Sequence, residues 1–264
     1  LGALQGLSIG GAFVFAFPLG AVLGKKYGHR TPVFLAAALQ ALNALIIAIF
    51  TPESLPPSAR VGRKLSLREA NPYGALAKLF GKAGALRDAS LIYSLVTLAR
   101  SVMDAQFLNY ARHSFGWTPN QAAPVMVAVG LCLAATPKLL VARLGVRRSI
   151  IYGTLVCAVG QAGSAFSPTA TSFVISVFVA AVGFACIPAL VGLLTSHAGE
   201  AERGALIGGL GSVQKLCSAV GNAGYSRIFA YSISEAAPFK LPGAHFLASA
   251  LLLLAAHLTA LDRL

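Results

Sequence analysis

Acidic residues are scarce in this 264-residue chain. Eight Asp and Glu stand against 21 Lys and Arg, and charged residues make up only 11% of the whole. A soluble domain carries about twice that share, so a fully water-exposed globular surface is excluded. Motifs of the common catalysts are also missing. There is no GxxxxGK[ST], so no ATP motor is encoded. No HExxH and no paired-carboxylate site within a catalytic set appears, so the chain reads as a non-enzyme that needs no cofactor. The four cysteines, Cys132, Cys157, Cys186 and Cys217, share no CxxC or Cys/His spacing. Each lies within an apolar stretch, which predicts buried, reduced thiols and supports neither a disulfide framework nor a zinc site. The opening residues show no charged segment and no cleavage site and do not read as a signal peptide. Leu1 opens inside an apolar stretch already at full strength, as a chain truncated at its N-terminus would.

What the chain has in quantity is apolar sequence. Hydrophobic residues make up 56%, and the mean hydropathy is +0.74. Runs of about 20 apolar residues recur, the length a helix needs to cross a bilayer. They predict an all-α membrane protein with about eight spans, near 1–24, 32–51, 89–110, 122–142, 148–167, 171–195, 204–231 and 243–261. The long interruption, from Pro52 to Asp88, is polar and punctuated by Pro56, Pro57 and Pro72. Within it, Asn71 and Pro72 can start a helix with Leu76, Leu79 and Phe80 on one face. That helix lies on the membrane surface or forms a solvated linker.

The net charge of +13 is not a nucleic-acid signal, because the basic residues cluster between apolar segments. Most of them, including Arg60, Arg63, Lys64, Arg68, Lys138, Arg143, Arg147 and Arg148, fall on one side of the predicted membrane. Lys25, Lys26, Arg30, Arg112 and Lys240 fall on the other. The bias makes the 52–88 linker and the C-terminus cytoplasmic, in a multi-pass protein. Trp117 and Tyr110 suit the outer interfacial belt.

Ionisable groups inside spans are the functional candidates, since each costs about 2.5–3.5 kcal/mol at mid-bilayer on insertion scales. Arg100 and Asp104 lie one helical turn apart on one face. They read either as a substrate- or proton-responsive pair lining a cavity or as a self-neutralised structural pair. Lys215 reads as a contact for an anionic substrate, as a partner for Asp104 across the cavity, or as a lysine snorkelling to the interface. His257 reads as a packed residue or a proton relay. Gln40, Asn43, Gln106, Asn109, Gln161 and Asn222 read first as interhelical glue, with substrate contact open to Gln106 and Asn109.

An internal echo suggests a repeat. Gly2-Ala-Leu-Gln-Gly6 opens the first span and Gly204-Ala-Leu-Ile-Gly208 opens the seventh. Both continue with small residues at helical spacing: Gly6, Gly10, Gly20 and Gly24, then Gly208, Ser212, Gly221 and Gly224. Such residues let helix backbones touch in lipid, and smooth faces of this kind also let helices rock. Repeats of six helices imply four further helices before the first, roughly 110–120 residues.

Several segments carry a family resemblance. Val141-Ala-Arg143-Leu-Gly145-Val-Arg147-Arg148 resembles the basic loop between helices 8 and 9 of major facilitator transporters, with Ala142 where that loop has an acid. Phe17-Pro18-Leu-Gly20-Ala-Val-Leu-Gly24 is similar to their helix-5 antiporter motif, with Phe17 replacing its first Gly. Thr51-Pro-Glu-Ser-Leu-Pro56 resembles the end of helix 6, and Ile187-Pro188-Ala189-Leu190 resembles helix 10. Glu202 to Gly208, running on to Gly221, resembles helix 11 of the tetracycline/proton antiporters and of the hippocampus-abundant-transcript-like proteins.

The resemblance implies a major-facilitator-type helical bundle covering helices 5 to 12 of twelve. Residues 1–51 would be the last two helices of the N-terminal bundle, 52–88 the linker and 89–264 the C-terminal six-helix bundle. It implies a secondary transporter of a small organic solute or drug, proton-coupled and working by alternating access. The partners would be the lipid bilayer, a solute and protons, and the full-length protein would be a monomer. A non-transporting receptor or scaffold and a truncated inactive copy are the alternatives. The tetracycline antiporters carry a coupling acid in helix 9. Cys157 stands at that place here, which favours the transport class over tetracycline as the cargo.

Overall fold

The computed structural model describes residues 2–52, 79–81, 84–196, 199 and 203–264. Among them the chain forms helices α1 (Gly2–Tyr27), α2 (Thr31–Phe50), α3 (Ala85–Phe115), α4 (Pro119–Ala165), α5 (Ala170–Gly183), α6 (Cys186–Ser196), α7 (Arg203–Ile233) and α8 (Ala244–Arg263). Helix stands at each predicted span, and four stretches among the described residues, Thr31–Phe50, Pro119–Ala165, Ala170–Ser196 and Ala244–Arg263, are long and apolar enough to cross a membrane. The linker helix falls mostly outside the described residues. Leu79 and Phe80 are helical, however, and Leu79 is buried in the bundle core. At that residue the segment docks onto protein and does not merely float on lipid.

Local chemistry explains the breaks. Gly116 takes a left-handed conformation (φ 68°) and returns its N–H to Arg112 O at 3.1 Å, ending α3. Pro119 then sits in the first turn of α4, and the Gln121 side chain accepts the Thr118 N–H at 2.9 Å. Gly145 (φ 75°, ψ 171°) breaks α4, so α4 contains both the fourth and the fifth predicted span. This backbone suits glycine because it has no Cβ to clash. The sixth span splits between Gly183 and Cys186 because Pro188 cannot donate to the carbonyl of Phe184 and its ring crowds that carbonyl. The orphaned oxygen accepts from Ile187 N at 3.1 Å instead.

The short connections make successive spans antiparallel. At one end, Arg263 at the close of α8 meets Asp88 at the start of α3 at 3.6 Å. At this end His257 Nδ1 also lies 2.9 Å from Ile151 O, just past the Gly145 turn. His257 is thus a packed residue in this structure. At the other end, Gly243 lies directly against the backbone of Ala165. The core follows this division. Ile92, Val96, Ile150, Leu190, Leu194 and Leu253 fill the Asp88 end, and an aromatic cluster around Phe107, Tyr110, Phe173 and Phe246 fills the other.

Tyr110 is therefore not an interfacial belt residue. It is buried among Phe115, Phe173 and Phe246, and its hydroxyl donates to Ser164 O at 3.4 Å. Trp117 also packs on this cluster, partly buried. The outer face is apolar instead of polar, with Leu131, Val159, Ile175, Val220 and Leu258 all exposed. That is the surface a lipid-solvated bundle presents.

Candidate functional site

α3 builds the site. Its length carries two stripes with different jobs. Ile92, Val96, Ala99 and Val102 are buried and hold the helix in the core. Around from them, Arg100, Met103, Asp104, Phe107 and Leu108 recur at the i, i+3, i+4, i+7, i+8 spacing of one face. These five line a cavity of about 350 Å³ closed by Met126, Val129 and Leu133 of α4 and by Val177, Ala180 and Ala181 of α5. Its size lies in the range of small-molecule sites. The wall is apolar apart from Arg100 and Asp104. Both charges line one cavity, yet no ion pair within 4.0 Å joins them. Asp88, Asp262, Arg87 and Arg263 make the ion pairs present among the described residues. Arg100 still acts on Asp104 electrostatically, without a direct contact between the two side chains.

The other predicted site residues sit elsewhere. Gln106 is buried and its amide donates to Ser226 Oγ of α7 at 2.7 Å, while its carbonyl accepts from Asn109 at 3.3 Å. Gln106 thus ties α3 to α7 as interhelical glue, Asn109 is exposed and bonds within α3, and neither lines the cavity. Such a bond contributes roughly 0.6 kcal/mol in a membrane bundle. The pairing of Lys215 with Asp104 is a correction. α7 buries Leu206, Leu210, Val213, Gly221, Tyr225 and Phe229 along one stripe. At about 100° per residue, Lys215 lies roughly 200° round from Val213. It is exposed, has no carboxylate within 4.0 Å among the described residues, and does not meet Asp104 across the cavity. Gln40, Asn43 and Asn222 are likewise exposed. Gln161 is fully buried, but neither of its amide atoms has a partner among the described residues.

The motif residues fare differently. Gly145 is the turn between the two halves of α4, flanked by exposed Arg143, Arg147 and Arg148. Pro18 lies within α1 and lines a groove against the start of α4. The tight-packing reading of the glycines needs correction. A Cβ on Gly20, Gly204, Gly208 or Gly224 would meet nothing within 4 Å among the described residues, and one on Gly24 only ordinary contacts at 3.9 Å. Gly6 and Gly10 lie outside the residues whose packing is described. Of the glycines expected to pack, Gly221 does, against Ser101. Cys157, where the sequence resemblance implies an acid, is fully buried with its thiol 3.4 Å from Ala180 O. A carboxylate there would have no water to solvate it.

The apolar cavity wall was the part missed from the sequence. The signal on α3 was present in its spacing. The contributions of α4 and α5 depend on how three helices meet, which no local period encodes.

Comparison with known proteins fits this architecture. The chain is 27% identical over 218 residues to the human hippocampus abundant transcript 1 protein, covering 80% of this chain and 44% of that one. It is 25% identical over 224 residues to the class G tetracycline resistance protein of Vibrio anguillarum, covering 83% of this chain and 56% of that protein. The chain thus spans about half the length of the curated relatives it matches. Its fold matches the crystal structure of the human organic anion transporter MFSD10 (TETRAN) with a TM-score of 0.74 at 18% identity, over 98% of this chain and 64% of that one. The family model described as Major Facilitator Superfamily matches residues 2–222. With that match laid over helices of the expected order, the chain belongs to the major facilitator superfamily of membrane transporters, as a multi-pass integral membrane protein.

Proposed function

We propose that this chain carries the cargo site of a secondary active transporter for a small organic solute, coupled to protons through Asp104. The observation that supports this most is the 350 Å³ apolar cavity that holds Arg100 and Asp104 without pairing them. An apolar wall binds the body of an organic solute, and a fixed cation orients an anionic group on it. A carboxylate that faces the cavity can take up a proton on one side of the membrane and release it on the other. Alternating access then exposes the site to each side in turn. The tetracycline resistance relative and the organic anion transporter of similar fold bring two cargo classes to test. The buried Cys157, with no acid at that place, counts against the first.

The test is uptake by the full-length protein in proteoliposomes under an imposed pH gradient. Asp104→Asn should abolish gradient-driven accumulation while leaving the protein monodisperse in detergent. Accumulation in that variant at the wild-type rate would end the coupling role. A wild-type protein that moves no solute of a broad panel would favour the receptor or scaffold reading.

A further inference from the structure

Two further voids adjoin the cavity through shared wall residues. Phe107, Leu108 and Met126 also line a second void, of about 380 Å³, closed by Ala16, Gly20 and Ala21 of α1 and by Pro119 and Ala122 of α4. Ala21 in turn lines a third void, of about 620 Å³, bounded by Pro18, Val22, Asn120 and Pro124. Lys25 and Lys26 stand at this last void. Neighbouring voids share these wall residues, so the three succeed one another as a seam from Arg100 on α3, past α1 and the start of α4, to the lysine pair.

Its chemistry is lopsided. The walls are aliphatic, aromatic and small. Glycine and alanine at positions 16, 20, 21 and 122 keep it open. Cations stand at both ends, and the acid lining it is Asp104. Neither lysine has a carboxylate within 4.0 Å among the described residues, and the Lys26 ammonium lies 5.1 Å from the centroid of the Tyr27 ring. An organic cation would meet two ammonium groups at the third void. A small hydrophilic anion would gain nothing from the apolar walls. A molecule with an anionic head and an apolar body matches both.

We propose that this seam binds an amphipathic organic anion, its head group on Lys25 and Lys26 and its apolar body running along α1 and α4 towards Arg100. This deepens the transport reading by naming the cargo class of the same cavity. It also explains a feature of the antiporter-like segment. Gly20 is unneeded for packing, since a Cβ there would meet nothing within 4 Å. Its small size serves the width of the seam.

The test uses the full-length protein in nanodiscs of phosphatidylcholine with 11-(dansylamino)undecanoate as the probe. Dansyl fluorescence should rise on binding. A dansyl amine of equal length, inorganic phosphate and butyrate should displace it only weakly. Lys25→Gln with Lys26→Gln should weaken binding about tenfold or more, as expected for lost charge-assisted contacts. Gly20→Phe should fill the seam and abolish binding. The open space at Gly20 lets this variant fold, which a monodisperse size-exclusion peak checks; Ala21→Leu is the alternative plug if it does not.

Displacement of the probe by added phosphatidate would assign the seam to a membrane lipid. Displacement by soluble alkyl carboxylates alone would assign it to a solute. Either supports the site. Equal binding of the cationic analogue, or wild-type affinity in the double lysine variant, would overturn it. Probe binding without probe flux would count against the transport reading alone. Probe flux unchanged by either the lysine or the plug variants would count against this seam alone.

Discussion

Two glycine-rich surfaces in this bundle behave in opposite ways. Along the seam between α4 and α5, a Cβ on Gly153 would sit 2.7 Å from Cys186 Cβ and 2.8 Å from Gly183 O. One on Gly163 would sit 2.6 Å from Ser176 Oγ, and one on Gly160 or Gly183 would collide with the backbone of Ala180 or Cys157. Along α7, Gly204, Gly208, Gly211 and Gly224 face open space among the described residues. The same residue type closes one helix pair and leaves another surface smooth. Lipid tails supply no hydrophobic drive between helices, so close backbone approach is what holds the first pair. The second surface is held by nothing described here, and that is the condition for one helix to slide past another.

The largest effect should come from wedging the closed seam. Gly160→Leu places a branched side chain where Ala180 backbone already stands, and neither helix can yield without losing its own hydrogen bonds. The full-length variant should fail to give a monodisperse peak in detergent. Gly160→Ala and Gly183→Ala should each lower stability by about 1–3 kcal/mol, read as an earlier thermal transition. Wild-type melting in Gly160→Leu would show that the seam is looser than its geometry.

An intermediate case sharpens the contrast. Gly221 is the one α7 glycine named from the repeat that packs, and its obstacle is the Ser101 hydroxyl on α3, with Ser101 Cβ at 3.1 Å and Leu98 Cδ1 at 3.3 Å. A hydroxyl can rotate or be removed, and a backbone cannot. Gly221→Ala should therefore cost about 1 kcal/mol, at the low end of overpacking. Ser101→Ala in the same chain should recover most of it, a coupling that a double-mutant cycle measures. No recovery would place the strain on Leu98 instead.

These distinctions show what could be read from residues alone. The spans were legible because hydropathy at bilayer length is a summed, local property. The turn at Gly145 was legible because its basic flanks mark a loop. Arg100 and Asp104 stood out because charge is rare in a span. Packing was not legible. α2 is more apolar than α8, with mean hydropathy 2.3 against 1.8, yet it buries none of its window and α8 buries 39%. The repeat drew attention to glycines on α1 and α7, but the glycines that lock helices together are on α4 and α5. Which face of a helix meets a neighbour depends on three-dimensional order, and a glycine looks the same in the sequence whether its missing Cβ is needed or not. Lys215 shows the same limit: its charge stood out in the sequence, while its exposed face on α7, away from Asp104, depends on how the helices meet.

The smallest change in stability should come from Gly208→Ala, and it tests the comparison most directly. A Cβ there meets nothing within 4 Å among the described residues, so no packing is lost. Helix propensity alone favours alanine by up to about 1 kcal/mol, so melting should stay level or rise slightly. If the open α7 surface exists to slide, an added methyl roughens it only when another helix passes. Transport should then slow while cargo binding at equilibrium keeps its wild-type affinity. The useful pair of measurements is the thermal transition in detergent beside the uptake rate in proteoliposomes. A stable variant with slowed uptake assigns the α7 glycines to motion. A stable variant with unchanged uptake leaves that surface facing only lipid, and a destabilised one means that a partner helix already rests there.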